Sequence, residues 1–222
     1  MTPDLLVTAR HATRTFGSGS LAVVAVQDVT CDIGEHEMIA LTGPSGSGKT
    51  TLLHLLAGLD DPTGGSVTWP GMGCRQALRP GLVAVVFQSP SLLPALNVRE
   101  NVALPLLLLG LDRASANEAA DQSLALLDLS RFAAALPEEL SGGQAQRASI
   151  ARALTGRPRL ILADEPTGQL DQVNAQMVVD TLIDAARRSG AALVVNTHDG
   201  HIARQLPQRW TMNDGRLDTT RR

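Results

Sequence analysis

Eight consecutive residues, Gly43, Pro44, Ser45, Gly46, Ser47, Gly48, Lys49 and Thr50, satisfy the pattern G-x-x-x-x-G-K-[ST] at every constrained position. Glycines at this spacing let backbone N–H groups turn inward around phosphate oxygens, and a helix starting at the end of the loop adds the positive end of its dipole. Lys49 then brings a point charge to the β- and γ-phosphates of a nucleotide, and the Thr50 hydroxyl is placed to ligate Mg²⁺. The competing reading is a Gly/Ser turn before an ordinary helix, and the flanks weigh against it. Met38 to Thr42 is a short apolar run that reads as a buried strand, and Thr51 to Ala57 reads as a helix, so strand, loop and helix come in the order the chemistry requires.

Four further places in the chain could join such a site. The apolar run Arg159 to Ala163 finishes in Asp164 and Glu165. Two adjacent acids at a strand end are costly to bury unless a cation and a reacting group use them. Asp164 suits Mg²⁺ through water, and Glu165 suits a general base. Gln88 closes the apolar run Val83 to Phe87, where a carboxamide at the C-terminal edge of a parallel strand faces the ligand crevice. Ser141-Gly142-Gly143 opens a helical stretch, a second geometry able to hold phosphate, although an ordinary glycine-bearing N-cap reads the same way. His198, beside Asp199 at the end of the run Ala191 to Asn196, is equally compatible with a structural role.

The elements that must position these residues follow from periodicity and punctuation. Leu5 to Ala12 and Val23 to Ile33 alternate apolar and polar around Gly17-Ser18-Gly19-Ser20, which predicts antiparallel strands ahead of the phosphate loop. Ser66 to Trp69 reads as a short strand, and Pro70 to Gly81 carries no periodicity. From Ser89 to Arg157 the chain turns Leu- and Ala-rich. Helices are expected over Asn117 to Leu129 and Ala145 to Leu154, the latter with Arg147 and Arg152 outward. Further helices are expected at Val173 to Arg188 and His201 to Leu206, and a hairpin around Asn213-Asp214-Gly215. The fold class is therefore α/β: a mostly parallel sheet, an N-terminal antiparallel β subdomain and a helical insertion.

Composition narrows the partners. The chain has 222 residues, 44% of them hydrophobic, and a net charge of −3, so bulk electrostatics do not favour nucleic acid. The longest apolar run, Val102 to Leu111, contains Pro105 and Gly110 and falls short of the ~20 residues a spanning helix needs. No basic segment followed by an apolar one marks a signal peptide at the N-terminus. A membrane role is thus expected to be peripheral. Cys31 and Cys74 fit no metal-ligand spacing. With three phenylalanines, two tryptophans and no tyrosine, Phe16 is one of few rings able to stack on a purine, and a minor-core role is its alternative.

Taken jointly, the phosphate loop, Gln88, Leu140-Ser141-Gly142-Gly143-Gln144, the run 160–165, Asp171 and His198 resemble the ATP-binding cassette (ABC) family over nearly the whole chain. The Ser-Gly-Gly-Gln signature, followed by Gln146-Arg147 and Ile150 to Leu154, is the most diagnostic part, because ordinary phosphate-loop ATPases lack it. Within the family, Gly58-Leu59-Asp60, Leu92-Leu93-Pro94, Asn101-Val102, Pro105 to Leu107 and Asp164 to Gly168 resemble the subunits that drive lipoprotein release and macrolide export.

The resemblance implies a single nucleotide-binding domain over 1–222 with a RecA-like phosphate-loop core. Residues 1–88 and 158–222 would form core and β subdomain, and 89–157 the helical subdomain with the signature. It implies an ATPase acting as a homodimer, each ATP lying between the loop of one copy and Ser141, Gly142, Gly143 and Gln144 of the other. ATP contacts would run from Gly43 through Thr51, with Phe16 at the adenine and Asp171 at the dimer seam. Thr50, Gln88 and Asp164 would hold Mg²⁺. Catalysis would involve Lys49, Gln88, Glu165 as base and His198 at the γ-phosphate. A separate permease at the inner face of the cell membrane would be the partner, docking near Leu92, Leu93, Leu96 and Leu106; a soluble cassette ATPase of DNA repair or translation is the alternative. Two departures stand out: phenylalanine where tyrosine is usual at the adenine, and a shortened segment over Pro70 to Gly81. Gln169 is also an unusual residue at its position.

Overall fold

The short apolar runs at Met38 to Leu41, Val83 to Val86, Leu160 to Ala163 and Ala192 to Val195 become parallel strands of one sheet, because strands covered on both faces need side chains buried on both. In the computed structural model, which describes residues 5–168 and 170–219, that sheet has the order β5-β6-β7-β3-β8-β9. Its strands are β3 (Met38–Thr42), β5 (Val83–Val86), β6 (Leu160–Asp164), β7 (Ala192–Asn196), β8 (Gln208–Asn213) and β9 (Arg216–Asp218). β5 through β8 run parallel, and β9 returns antiparallel through the expected hairpin. Gln169 lies outside the described residues.

The sheet separates two buried clusters. Ala40, Val86, Ala163 and Val195 face the helical side, packing with α2 (Val98–Leu108), α4 (Gly142–Thr155), α5 (Gln172–Ser189) and α6 (Gly200–Gln205). Ile39, Leu41, Leu162 and Val194 face α1 (Lys49–Leu56) and a second, three-stranded antiparallel sheet, β2-β1-β4. That sheet joins β1 (Leu5–Phe16), β2 (Val23–Gly34) and β4 (Gly64–Thr68). Each fully buried Leu or Ile in these layers contributes about 1.5–3 kcal/mol relative to exposure. The layers hold the C-terminal ends of β3, β5, β6 and β7 in register along one crest, and the candidate site residues leave the sheet there.

Several boundaries differ from the sequence reading, each for a local reason. β1 continues past Ala12 to Phe16, because β2 and β4 both pair with it and a bulge at His11, with φ +50°, re-aims the strand. α3 (Arg113–Ala125) begins and ends four residues earlier than periodicity predicts: Asp112 caps it by accepting from Ala114 N and Ser115 N. α4 starts at Gly142, three residues early, since Ser141 supplies the cap.

Arg147 and Arg152 do not point outward. Arg147 donates to Leu127 O, and Arg152 donates to Ser91 O at 2.7 Å and to Ser91 Oγ. Burial lowers the Arg152 pKa from its ordinary value. Of the apolar residues expected on the surface near Gln88, Leu93 is exposed, Leu92 is half-buried against the helical-side cluster, and Leu106 is buried.

The segment 70–81 has an identifiable use. The last carbonyls of a helix lack intrahelical partners. At the end of α1 they are taken by side chains of this segment and its neighbour: Trp69 Nε1 donates to Leu56 O at 2.8 Å, Arg79 to Ala57 O, and Arg75 Nε to Gly58 O at 2.7 Å. Cations at a helix C-terminus also complement its dipole. The segment thus braces the far end of the phosphate-loop helix.

Candidate nucleotide site

The loop between β3 and α1 closes where only glycine fits. Gly43 has φ +142°, and a Cβ there would stand 2.1 Å from Met212 O; at Gly48, with φ +96°, it would stand 1.9 Å from Ala25 O. Both contacts are to backbone that cannot swing aside, so the loop is pressed against β8 and β2. The hairpin turn adds a strut, as Gly215 N donates to Ser47 O at 3.1 Å.

Among the described residues no side chain caps α1, so its first N–H groups are left without a side-chain partner at the end of the loop. Lys49, buried, donates its Nζ to Gly43 O at 3.0 Å and Pro44 O at 2.7 Å, which curls it over that interior. Ser47 is buried with an Oγ that has no hydrogen-bond partner among the described residues. Free amides, an orphan hydroxyl and a cation in one concavity form a set that suits a polyphosphate. Pro44, Ser45, Gly46 and Thr50 are exposed around it, with Thr51 half-buried behind.

The crest brings three of the remaining candidates together. Gln88 Nε2 donates to Glu165 Oε2 at 3.3 Å, and His198 Nδ1 lies 3.7 Å from the same oxygen. Glu165 adopts φ +44°, a conformation that costs a non-glycine residue about 1–3 kcal/mol and is concentrated at functional sites. Backbone bonds on both sides hold it there: Glu165 N donates to Asn196 O at 3.0 Å, and Gly168 N to Glu165 O at 3.1 Å. Asp164 is buried and takes a hydrogen bond from Asn196 Nδ2. The oxygens of Thr50, Gln88 and Asp164 are hard donors of the kind Mg²⁺ prefers.

Asn196 and Gln146 are two polar residues whose part the sequence reading missed. Asn196 pairs in register with Asp164 across β6 and β7, so its position at the end of an apolar strand is the available signal. Gln146 Nε2 donates to Phe87 O at 2.9 Å and to Pro166 O at 3.3 Å. Its signal is a carboxamide on the apolar face of a helix, three and four residues before the buried Ser149 and Ile150.

Other candidates sit apart from the crest cluster. Ser141 and Gly142 are exposed; Ser141 Oγ accepts from Gln144 N at 3.3 Å, while Gln144 Oε1 accepts from Ser141 N at 2.8 Å. A Cβ on Gly142 would meet nothing within 4 Å, whereas one on Gly143 would come 3.2 Å from a Leu170 methyl. Asp171 caps α5 through Val173 N and Asn174 N, and the backbone and side-chain hydrogen bonds of Asn174 hold its carboxyl below the usual range. An open cleft of about 740 Å³ lies beside it, lined by Thr167, Gly168, Leu170, Val173, His198 and Asp199 among others. Phe16 is 42% exposed and does not join a core; the Arg14 guanidinium lies 4.7 Å from its ring centroid, tied to Asp60 at 2.8 Å. One ring face is thereby covered by a cation. The cysteines stay apart from all of this: Cys31 is buried, which pushes its pKa up to about 12, and Cys74 is exposed.

Comparison with known proteins agrees with this geometry. The family model described as ABC transporter matches residues 26–168. The dimeric post-hydrolysis structure of the ATP-binding cassette MJ0796 bound to ADP and Pi superposes with a TM-score of 0.89 at 34% identity, covering 96% of this chain and 97% of that one. A second dimeric structure of MJ0796, described as a bacterial ABC transporter cassette, gives 0.88 at 34% identity with the same coverage. CbiO1 from Clostridium perfringens, part of the ABC transporter complex CbiONQ, shares the fold at TM-score 0.82 and 24% identity, over 97% of this chain and 87% of its own. With the phosphate loop, the strained acid at the end of β6 and the signature turn in place, the chain belongs to the ABC transporter family and is an ATPase that uses ATP with Mg²⁺.

Proposed function

We propose that this ATPase works as a nucleotide-sandwich homodimer and powers a membrane transporter or mechanotransmission complex through a separate permease, from the inner face of the cell membrane. The domain is one unit in this reading, with 89–157 as the helical lobe on a core formed by 1–88 and 158–222. The observation that carries it is the division of labour between two surfaces. Gln88, Glu165 and His198 converge on one crest, while Ser141, Gly142 and Gly143 present an exposed helix start whose hydrogen bonds stay within its own first turn. Such a helix start supplies anion-binding N–H groups to a second copy rather than to its own pocket. The exposed Val173 beside the cleft at Asp171 leaves an apolar side chain at the proposed seam.

Hydrolysis of ATP needs charge neutralisation and an aligned water rather than covalent chemistry. Lys49 and the N–H groups of 43–51 hold the β- and γ-phosphates. Thr50, Gln88 and Asp164 would hold Mg²⁺, which would supply neutralisation of the phosphate charge. Glu165 accepts the proton of the attacking water, Gln88 orients the carboxylate, and His198 steadies the γ-phosphate. Phe16 stacks on the base, its other face held by Arg14. Ser141, Gly142, Gly143 and Gln144 of the partner copy close the site.

Glu165→Gln tests the chemistry, because it keeps shape and removes basicity. Turnover is expected to fall by about 10²–10⁴-fold while Mg-ATP still binds, and the variant is expected to elute as an ATP-bound dimer in size-exclusion chromatography. Near-normal single-turnover hydrolysis with no trapped dimer would overturn the assignment. The transport half is tested by mild-detergent purification of the tagged chain from its native cells, with an integral-membrane protein expected in stoichiometric amount. The lipoprotein-release or macrolide-export type is the subgroup that the residue pattern favours.

A further inference from the structure

We infer that Gln146 is a positioning residue that holds the Gln88–Glu165 pair in alignment from the helix carrying the signature. The inference rests on the reading of Glu165 as the base. Gln146 is 1% exposed, and its single carboxamide nitrogen donates to Phe87 O at 2.9 Å and to Pro166 O at 3.3 Å. Phe87 immediately precedes Gln88, and Pro166 immediately follows Glu165. One NH₂ group therefore ties the backbones adjoining both members of the 3.3 Å Gln88–Glu165 hydrogen bond.

The orientation of the carboxamide is fixed by chemistry, since both neighbours are carbonyl oxygens and accept from nitrogen alone. Its Oε1 is left buried without a hydrogen-bond partner among the described residues. An unsatisfied buried acceptor works against stability, and an apolar side chain of similar shape would avoid leaving one. A glutamine here therefore serves a purpose other than packing. A second tether from the same helix supports this: Arg152 binds Ser91 O and Oγ, so α4 grips the segment 87–91 on both sides of Gln88. Because α4 begins at the signature, any tilt of its N-terminus is carried by a rigid helix to Gln146, four residues after Gly142, and through it to the backbones beside the pair.

The test is a double-mutant cycle on steady-state hydrolysis, with ATP affinity measured separately on each variant. Gln146→Met keeps bulk and removes both donors. In the parent protein it is expected to lower kcat by about 10–100-fold, the scale of a sub-ångström to 1 Å misplacement of a catalytic group, with ATP affinity within about twofold. In a Gln88→Ala background the same change is expected to cost less than about twofold, because the partner it aligns is gone. Equal loss in both backgrounds, or no loss in the parent, overturns the inference; equal loss is what a merely structural role predicts. Should Gln146→Met fail to fold by circular dichroism, Gln146→Glu, of unchanged shape, is read in the same cycle with the same two outcomes. Glu165→Gln is run alongside: full turnover there sinks the reading of the base, whereas a dead Glu165→Gln with a silent Gln146→Met sinks this inference alone.

Discussion

Helices α1 and α4 both begin at a glycine-rich turn, yet they treat their free N–H groups differently. At α1 the position before the helix is Gly48, in a left-handed conformation and with no side-chain cap among the described residues; the nearest cation, Lys49, is folded over the loop. At α4 the position is Ser141, in an extended conformation, and a reciprocal box with Gln144 occupies two of the orphan donors. The first helix start is held open by backbone contacts from β2 and β8 and depends on an anion to complete it. The second carries a cap of its own, which leaves the Gly142 and Gly143 N–H groups outside the box. In a sequence both read as phosphate geometry; in the proposed homodimer, capping separates a site serving its own copy from a surface that meets the other.

The largest effect is expected where the open turn loses its cation. Lys49→Ala removes the point charge and leaves Gly43 O and Pro44 O without their donor. Mg-ATP affinity should fall together with turnover, both to background in an equilibrium titration and a phosphate-release assay. Unchanged affinity would mean that the loop amides bind the polyphosphate unaided. Ser141→Arg should separate the same two readouts. ATP binding by dilute monomer is expected to stay within about twofold, because the side-chain hydrogen bonds of Ser141 stay within the first turn of α4, while hydrolysis disappears because bulk and charge block the opposite copy. Joint loss of binding and hydrolysis in Ser141→Arg would erase the distinction between the turns.

How legible this was in the chain depended on whether each residue's role is local. The phosphate loop could be read because strand, glycines, Lys49 and helix are contiguous, and their geometry follows from neighbours in sequence. Central strands were legible for a related reason: Leu160 to Ala163 and Ala192 to Val195 are apolar without interruption, as strands covered on both faces must be. The ends of helices were less so. Asp112 and Ser141 each moved a helix start through one capping side chain, and periodicity does not register a cap. Least legible were Asn196 and Gln146, whose partners lie 32 residues away for one and 59 and 20 for the other. The outward placement of Arg147 and Arg152 failed similarly, because the carbonyls that receive them belong to Leu127 and Ser91, outside the helix. Phe16 was identified as a candidate by scarcity of aromatics, but the Arg14 guanidinium on its ring follows from strand pleating and the bond to Asp60, which composition does not reveal.

The smallest expected effect examines the capped turn itself. Ser141→Ala removes the hydroxyl that accepts from Gln144 N and leaves the return bond from Ser141 N to Gln144 Oε1 in place. Loss of a serine cap costs about 0.5–2 kcal/mol, and the 3.3 Å separation places this one toward the weaker end. For a chain of this size that corresponds to a fall in Tm of about 1–2 °C. Measured on nucleotide-free protein at a concentration where it is monomeric, the shift reports the cap alone, since no second copy touches the turn. A fall of that size means α4 is closed by its own side chain, and any phosphate it accepts must displace or share that cap. An unchanged Tm would mean the hydroxyl does not bind Gln144 N in solution. The start of α4 would then lack a serine cap, as α1 does, and the contrast between the two turns would reduce to the Gln144 return bond and the Lys49 charge.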